Sequence, residues 1–244
     1  MVDANDRSRM SKRVAFVCAM PMELSPLRRK LSLKKTVVGS LEVYAGALGD
    51  RPVVAIVTGI GGVLATERVE RLIELIEIER VLVVGITGSL DDETPIGTLT
   101  VPAVVVNGAT GAEYRPSRLG GDNPRGKMWT TDELITDLDV IARLRADGVT
   151  SLDMETAAIA EICQRRKIPW SVFRAISDRA TEISLDDEVL RLVNRDGSFN
   201  ARRIAAFFAK HPGRLPALAR LARDAKLAAN NAAAAVLSAV SPTS

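Results

Sequence analysis

The chain has 244 residues, of which 47% are hydrophobic, enough for one large α/β domain with a substantial core. The net charge of +3 is small for this length and only 4% of residues are aromatic, so the composition does not require a nucleic-acid surface. Residues 1–12 are polar and charged, and no run approaches the ~20 apolar residues that cross a bilayer. We therefore predict a cytoplasmic protein with a flexible tail over residues 1–12 and a single domain over residues 13–244.

The first half of the chain predicts alternating strands and helices. Apolar runs predict strands over residues 13–19 and 51–58, strand segments over 35–48 that break at Gly39 and Gly46, and a short helix over 23–31. A glycine turn at residues 59–62 leads into an amphipathic helix over 63–78 and an apolar strand over 81–84. This order is typical of a βαβ unit and predicts an open α/β sheet.

The second half continues the pattern and then becomes helical. We predict a strand over 98–106, a long loop over 108–126, a helix that contains residues 157–162 and ends at Lys167 and Pro169, and a strand over 170–176. Helices are expected over 186–193, 201–210 and 216–240, so that a helical C-terminal extension begins at about residue 195. Its segment 202–226 carries seven Lys or Arg residues and only one acid, Asp224. Such a segment is more typical of a solvated helix face than of membrane contact.

The few cysteine and histidine residues limit the kinds of catalytic and metal site that the chain can form. Cys18 lies in a predicted strand and Cys163 in a predicted helix, which suits two reduced core thiols better than a disulfide. A disulfide between these two cysteines is the remaining alternative. The single histidine is His211, so histidine-based triads and zinc sites have almost no ligands. We expect no metal and no cofactor, and acid–base chemistry that depends on carboxylates.

Carboxylates flank one helix and one strand in residues 151–180. Asp153 and Glu155 precede the helix, whereas Ser177 and Asp178 follow the buried strand. Ligands of open α/β sheets bind outside the carboxyl ends of strands, so Glu155 and Asp178 are expected to face one crevice. Helix capping and turn formation are the competing explanation for these residue types, and that alternative stays open.

The glycine turn at residues 59–62 invites comparison with a dinucleotide-binding fingerprint because it follows a strand and opens a helix. Two positions disagree with that motif. Leu64 stands in place of the third glycine, and the next strand ends at Val84 and Gly85 rather than at an acid for a ribose hydroxyl. An enzyme that uses nicotinamide or flavin is therefore disfavoured.

Several segments in this order resemble the nucleoside phosphorylase and nucleosidase superfamily, in particular the 5'-methylthioadenosine/S-adenosylhomocysteine nucleosidases. They are AMPME at 19–23, the glycine turn, GITGSL at 85–90 with IGTL at 96–99, Met-Glu at 154–155 and RAISD at 174–178. The resemblance covers about residues 13–190. It implies a phosphorylase/hydrolase-like three-layer α/β/α fold with a mixed central sheet, and a homodimer.

The resemblance also implies roles for individual residues. It identifies Glu23 as the base that activates water, Asp178 as the acid beside the purine, and Met154 and Glu155 as contacts of the sugar. The other candidate substrate-binding residues are Gly61, Gly85, Thr87, Gly88, Ile135 and Ser177. Cleavage of an N-glycosidic bond develops positive charge on the ribose and negative charge on the leaving base, and three carboxylates can divide that work.

Two positions depart from the superfamily pattern. Ile86 occupies a position where related enzymes commonly carry a hydroxyl residue near the nucleophile, and Thr87 is the candidate substitute. Leu134 stands where several bacterial nucleosidases have Phe, which weakens the expected preference for adenine.

The predicted function is hydrolysis of purine nucleosides, preferably 5'-methylthioadenosine and S-adenosylhomocysteine, with release of adenine. One alternative is a phosphate-dependent purine nucleoside phosphorylase, for which Arg28 and Arg29 would be the local charges. Against it, Glu23 would repel a phosphate dianion near the anomeric carbon. The other alternative is a catalytically idle nucleoside-binding protein. In each case the partner is a small purine nucleoside, not a nucleic acid.

Overall fold

The computed structural model describes residues 12–120, 123–133, 135–179, 194, 207 and 210–240. The described strands are Arg13–Cys18 (β1), Lys34–Val38 (β2), Leu41–Leu48 (β3), Arg51–Val57 (β4), Ile78–Ser89 (β5), Leu99–Thr100 (β6), Val104–Asn107 (β7), Glu113–Tyr114 (β8), Lys127–Thr130 (β9), Val149–Asp153 (β10) and Trp170–Arg179 (β11). The described helices are Pro21–Lys30 (α1), Gly62–Leu75 (α2), Leu138–Ala146 (α3), Thr156–Arg165 (α4) and Leu215–Val240 (α5).

The strands form one mixed sheet. Its main order is β2-β3-β4-β1-β5-β10-β9-β7-β8, and β11 pairs with β5 and with β6. Strand β1 runs parallel to both β4 and β5, and β11 runs parallel to β5. Strand β10 runs antiparallel to the end of β5, with Leu152 opposite Gly88. Strand β5 thus pairs with β1, β10 and β11, and the last two both pair with residues at its carboxyl end.

Helices cover both faces of this sheet. Alternate side chains of β1 point to opposite faces, so Ala15 and Val17 belong to one core cluster and Val14 and Phe16 to another. The first cluster is completed by residues of α2 and α4, and the second by residues of α1 and α5. The predicted three-layer α/β/α fold with a mixed sheet is confirmed.

The boundaries of α2 and β5 correct the prediction. Helix α2 ends at Leu75 rather than residue 78, because Ile76 is already extended with φ −137°. Strand β5 is longer than the predicted 81–84 and runs from Ile78 to Ser89, because β11 pairs with it from Val81 to Ser89. Residues 85–88 therefore lie within a paired strand.

Other elements also differ from the prediction. Strand β3 runs unbroken through Gly46, where a side chain would meet Leu33 Cδ2 at 2.7 Å, so this glycine permits close packing rather than a turn. The predicted strand 98–106 is divided into β6 and β7, and the predicted loop 108–126 contains β8. Elements β9, α3 and β10 had no counterpart in the prediction. Strands β9 and β10 are short, and sequences such as VTSLD in β10 contain no apolar run. Helix α3 has its apolar Ile141 and Leu144 three residues apart, a helical signal that the prediction missed.

The C-terminal helix α5 matches the predicted helix 216–240. Its small residues Ala228, Ala232 and Ala233 are buried together with Val236 in the core cluster shared with α1. The predicted helices 186–193 and 201–210 fall outside the described residues, apart from Phe207 and Lys210, which are helical. Within the described parts of the chain, no helix is long and apolar enough to cross a membrane.

Candidate active site

Arg174 of β11 lies at the centre of the candidate site and is only 2% exposed. Its Nη2 atom is 2.7 Å from Asp153 Oδ2 and 3.1 Å from Glu155 Oε2, and its Nη1 atom is 3.7 Å from Glu23 Oε1. Burial lowers the pKa of Arg174, but the charges of the three carboxylates raise it by more, so the guanidinium stays charged. One buried cation therefore organises three buried acids that come from distant parts of the sequence.

Glu23 is bound by backbone groups on both sides of its carboxylate. Its Oε2 accepts hydrogen bonds from the backbone N–H groups of Ala19 at 2.7 Å and Met20 at 2.9 Å. Its Oε1 accepts from the N–H of Ile86 at 2.8 Å. Burial raises the pKa of Glu23, while Arg174 and these three N–H groups oppose that rise. Glu23 is thus both the acid at the start of α1 and a member of the buried centre.

Gly85 explains how Glu23 reaches β5. A Cβ at Gly85 would lie 2.2 Å from Glu23 Oε1 and 2.6 Å from Glu23 Cδ. Gly85 is also the β11-paired partner of Arg174. The glycine predicted to allow close approach of a ligand is therefore required first by the carboxylate of the protein itself.

Glu155 joins the glycine turn to the buried centre. It lies two residues after the end of β10, is 4% exposed, and accepts a hydrogen bond on Oε1 from the N–H of Gly61 at 2.9 Å. Gly61 has φ +98°, a conformation that favours glycine. Burial and the neighbouring charges of Asp153 and Glu23 raise the pKa of Glu155 to about 7, against the opposing effects of Arg174 and the Gly61 N–H.

Asp178 lies on β11, opposite Gly88 of β5. The Ser177 hydroxyl donates to Asp178 Oδ1. A Cβ at Gly88 would lie 3.2 Å from Asp178 Oδ2, so this glycine gives the carboxylate room. The same strand carries Gly85 beside Glu23, and β5 therefore connects the two predicted catalytic acids.

The remaining predicted residues differ in their surroundings. Met154 lies between Asp153 and Glu155 in the sequence, and it is half-buried in the structure. The Thr87 hydroxyl donates to the Leu152 carbonyl at 2.7 Å, so its proton is directed towards β10. Ile135 packs against the separate cluster formed by residues such as Leu90, Ile141 and Leu144. Leu134 lies outside the described residues.

Sequence reasoning missed the polar side chains that support the centre. Thr130 Oγ1 donates to Asp153 Oδ1 at 2.5 Å, and Thr156 donates to Asp153 Oδ2 from both its hydroxyl and, at 2.9 Å, its backbone N–H. Asp132 accepts from the N–H of Gly62 at 2.9 Å beside the glycine turn. The available signal was the placement of Asp153 and Thr156 on either side of the Met-Glu pair.

Comparison with known proteins places the chain that carries these buried acids in a known superfamily. Residues 13–124 and 116–210 match the phosphorylase superfamily. The chain belongs to this superfamily. A 5'-methylthioadenosine/S-adenosylhomocysteine nucleosidase of Bacillus cereus (strain B4264) is 26% identical over 199 residues, which cover 69% of this chain and 86% of that protein.

Solved structures show the same fold. The nucleosidase of the same name from Neisseria meningitidis, in complex with methylthio-immucillin-A, has a TM-score of 0.71 at 21% identity and covers 94% of this chain and 99% of that one. Futalosine hydrolase of Helicobacter pylori also has a TM-score of 0.71, at 17% identity, and covers 95% of this chain and 98% of that one.

Ile86 shows how this member of the phosphorylase superfamily departs from the expected pattern. Its backbone N–H binds Glu23 and its carbonyl accepts from Arg174 Nη1 at 2.8 Å. Its side chain is half-buried and packs against the cluster below α1 and α5. Ile86 therefore contributes to the centre through its backbone alone, and no hydroxyl enters from its side chain. Within the described residues, no group of three His, Cys, Asp or Glu side chains could hold a metal ion.

We expect Gly85→Ala to destabilise the protein by about 1–3 kcal/mol, as overpacked core substitutions do, because the added methyl group and Glu23 cannot occupy the same space. Thermal unfolding measures the effect. Gly213→Ala is the matched control, since a Cβ at Gly213 has no neighbour within 4 Å. Equal melting temperatures for the two variants would contradict the close approach of Glu23 to β5.

Proposed function

We propose that this chain hydrolyses the N-glycosidic bond of purine nucleosides, with 5'-methylthioadenosine and S-adenosylhomocysteine as preferred substrates and adenine as the released base. The observation that carries the proposal is the meeting of Glu23 and Glu155 on Arg174 of β11, with Asp178 further along the same strand. The names of the Bacillus and Neisseria relatives support the same substrates. No cofactor takes part in this proposal.

Glu23 is the proposed base that orients and deprotonates the attacking water. Its pKa is raised by burial, which makes the carboxylate a better proton acceptor near neutral pH. Three backbone N–H groups hold its two oxygens in place, so it need not reorganise when water binds. Preorganised groups of this kind avoid the cost of reorganisation during the reaction.

Glu155 and Met154 are the proposed contacts of the ribose. A carboxylate beside the sugar accepts hydrogen bonds from ribose hydroxyls and stabilises positive charge as the bond to the base breaks. Glu155 is suited to this because one of its oxygens is anchored by Gly61 and the other by Arg174. We assign Gly61, Gly85, Thr87, Gly88 and Ile135 to the walls of the binding site.

Asp178 is the proposed proton donor to N7 of the leaving adenine. Ser177 donates a hydrogen bond to Asp178 Oδ1. Because the carboxyl group is planar, this bond also fixes the direction of Oδ2. A general acid in this position stabilises the negative charge that develops on the base. Ser177 is therefore assigned a positioning role beside the purine.

The phosphorylase alternative has less support. Arg28 and Arg29 are exposed on α1, whereas Glu23 on the same helix is buried. Arg174 is already paired with carboxylates, and the N–H groups of Gly61 and Gly62 at the start of α2 bind Glu155 and Asp132. A phosphate dianion would have to displace these acids, and charge repulsion opposes that.

The proposal is tested by base release from 5'-methylthioadenosine, S-adenosylhomocysteine, adenosine, inosine and futalosine, each with and without phosphate. We expect adenine and a free sugar from the first two without phosphate. A sugar 1-phosphate that forms only with phosphate would favour a phosphorylase instead. If the chain binds one of these five nucleosides but cleaves none of them, the result would favour the catalytically idle nucleoside-binding protein.

Asp178→Asn should remove most turnover, by at least about a hundredfold, because the amide cannot donate a proton to the base. Little loss of stability is expected, since the volume hardly changes. Asp139→Asn, an exposed position on α3, is the control and should keep wild-type kcat. Turnover of Asp178→Asn within threefold of the wild type would contradict the role of Asp178.

Glu23→Gln should likewise abolish turnover, but it should also cost about 1–3 kcal/mol of stability. A glutamine offers one acceptor oxygen, whereas the carboxylate of Glu23 accepts three N–H groups with two. Activity and thermal unfolding are measured together. Wild-type turnover in this variant would exclude Glu23 as the base.

We propose that the enzyme acts as a cytosolic homodimer. Val63, next to Gly62 at the start of α2, is 70% exposed, and a second copy of the chain could cover it beside the glycine turn. The free, buried thiols of Cys18 and Cys163 fit a reducing compartment. Light scattering of the full chain measures the mass, and Val63→Asp should shift a dimer towards the monomer. A monomeric wild type would contradict the dimer.

A further inference from the structure

Asp153 is the acid closest to Arg174, yet the proposed reaction gives it no role. Its Oδ2 is 2.7 Å from Arg174 Nη2, compared with 3.1 Å for Glu155 and 3.7 Å for Glu23. Asp153 is 7% exposed and is the last residue of β10, at the point where the chain turns towards Glu155. Its position therefore affects both the cation and the segment that carries the proposed sugar contact.

Each oxygen of Asp153 is held by the protein. Thr130 donates to Oδ1, and both donors of Thr156 reach Oδ2. The backbone N–H of Glu155 also points at Oδ2, at 3.4 Å. Thr130 in turn accepts from the N–H of Ala157 at 3.1 Å. These bonds leave Asp153 committed to protein groups, so it is suited to positioning rather than to contact with a substrate.

Arg174 is oriented from the same side. Its Nε donates to Thr156 Oγ1 at 3.2 Å, and Thr156 itself binds Asp153. Two of the three nitrogen atoms of the guanidinium are thus tied, directly or through Thr156, to Asp153. The third, Nη1, faces Ile86 and Glu23. Fixing the first two nitrogens determines where the third one points.

We propose that Asp153 is a positioning residue, which holds Arg174 and the first turn of α4 so that Glu23 and Glu155 keep their working geometry. This inference rests on the proposed hydrolysis for its kinetic consequences but not for its structural ones. A group that acts in this way influences kcat and the pH dependence of activity without touching the substrate.

The charges around Glu155 define the expected pH effect. Glu23 from α1, Asp153 from β10 and Arg174 from β11 face it, with the thiol of Cys18 close to Glu23. The negative charge of Asp153 is among the causes that raise the pKa of Glu155 to about 7, after burial itself. Removal of that charge lowers the pKa of Glu155, so the carboxylate stays ionised at lower pH.

The test compares Asp153→Asn with Asp137→Asn in the full chain. Asp137 is a matched control because its side chain also accepts first-turn N–H groups, those of Asp139 and Val140 at the start of α3. For Asp153→Asn we expect kcat to fall about a hundredfold with a smaller change in KM, as when catalytic groups are misplaced. The acid limb of kcat/KM, which we expect near pH 7 in the wild type, should move to lower pH. Asp137→Asn should change neither quantity.

A second readout does not depend on turnover. Because the folded-state pKa of Glu155 lies above its ordinary value of 4.5, the melting temperature should decrease as the pH rises from about 4.5 to 7. In Asp153→Asn this decrease should be smaller and should end at lower pH. If the wild type cleaves no nucleoside, the proposed function fails, while this comparison still decides the role of Asp153.

Thr130→Val provides a variant in case Asp153→Asn does not fold. It removes the hydroxyl bound to Asp153 Oδ1 but keeps the carboxylate charge, so kcat should fall about tenfold while the acid limb stays in place. The proposal would be overturned if Asp153→Asn kept wild-type kcat and an unmoved acid limb. If Asp153→Asn does not fold, wild-type kcat in Thr130→Val would overturn it instead.

Discussion

The buried ion-pair cluster of Arg174 is the constraint on which the rest of the site depends. A guanidinium that is 2% exposed loses almost all contact with water, and only paired charges and hydrogen bonds compensate that loss. Asp153, Glu155 and Glu23 supply the charges. Since these acids repel one another, each also needs its own donors, which the backbone of residues 19–20, 61 and 86 and two threonines provide. Loss of Arg174 would leave three acids with uncompensated buried charge, whereas loss of one acid would leave its own hydrogen-bond donors without an acceptor.

This cluster explains features of the fold that a hydrophobic core alone would not require. Strand β5 carries no side chain at Gly85, because the Glu23 carboxylate occupies that space. The same strand continues to Ser89, where β10 and β11 both pair with it, and this pairing brings Asp153 and Arg174 together. The glycine turn before α2 is directed at Glu155 by the Gly61 N–H. The sheet thus delivers acids from α1, β10 and the start of α4 to one cation.

Much of this architecture was predictable from apolar runs, and the centre of the site was not. Strands β1, β4 and β11 are continuous buried segments, so their sequences indicate them directly. Strand β10 reads as VTSLD, in which only Val149 and Leu152 are apolar, and it forms because its neighbours pair with it. Resemblance pointed to Glu23, Glu155 and Asp178 as candidates. The triple pairing of Arg174 depends on three-dimensional proximity across 151 residues of sequence, from Glu23 to Arg174, which no spacing rule reveals.

The charge balance of the centre bears on which nucleophile it can accept. Three carboxylates against one guanidinium leave an excess of negative charge, which adds to burial in raising the pKa of Glu155. A neutral water molecule enters such a centre without adding charge, whereas a phosphate dianion adds two charges of the same sign. At Ile86, a backbone N–H is bound to Glu23 where a hydroxyl donor is expected, which removes a further donor that an oxyanion would use. An excess of acid over base thus favours water as the attacking group and a sugar that becomes positive as the bond to the purine breaks.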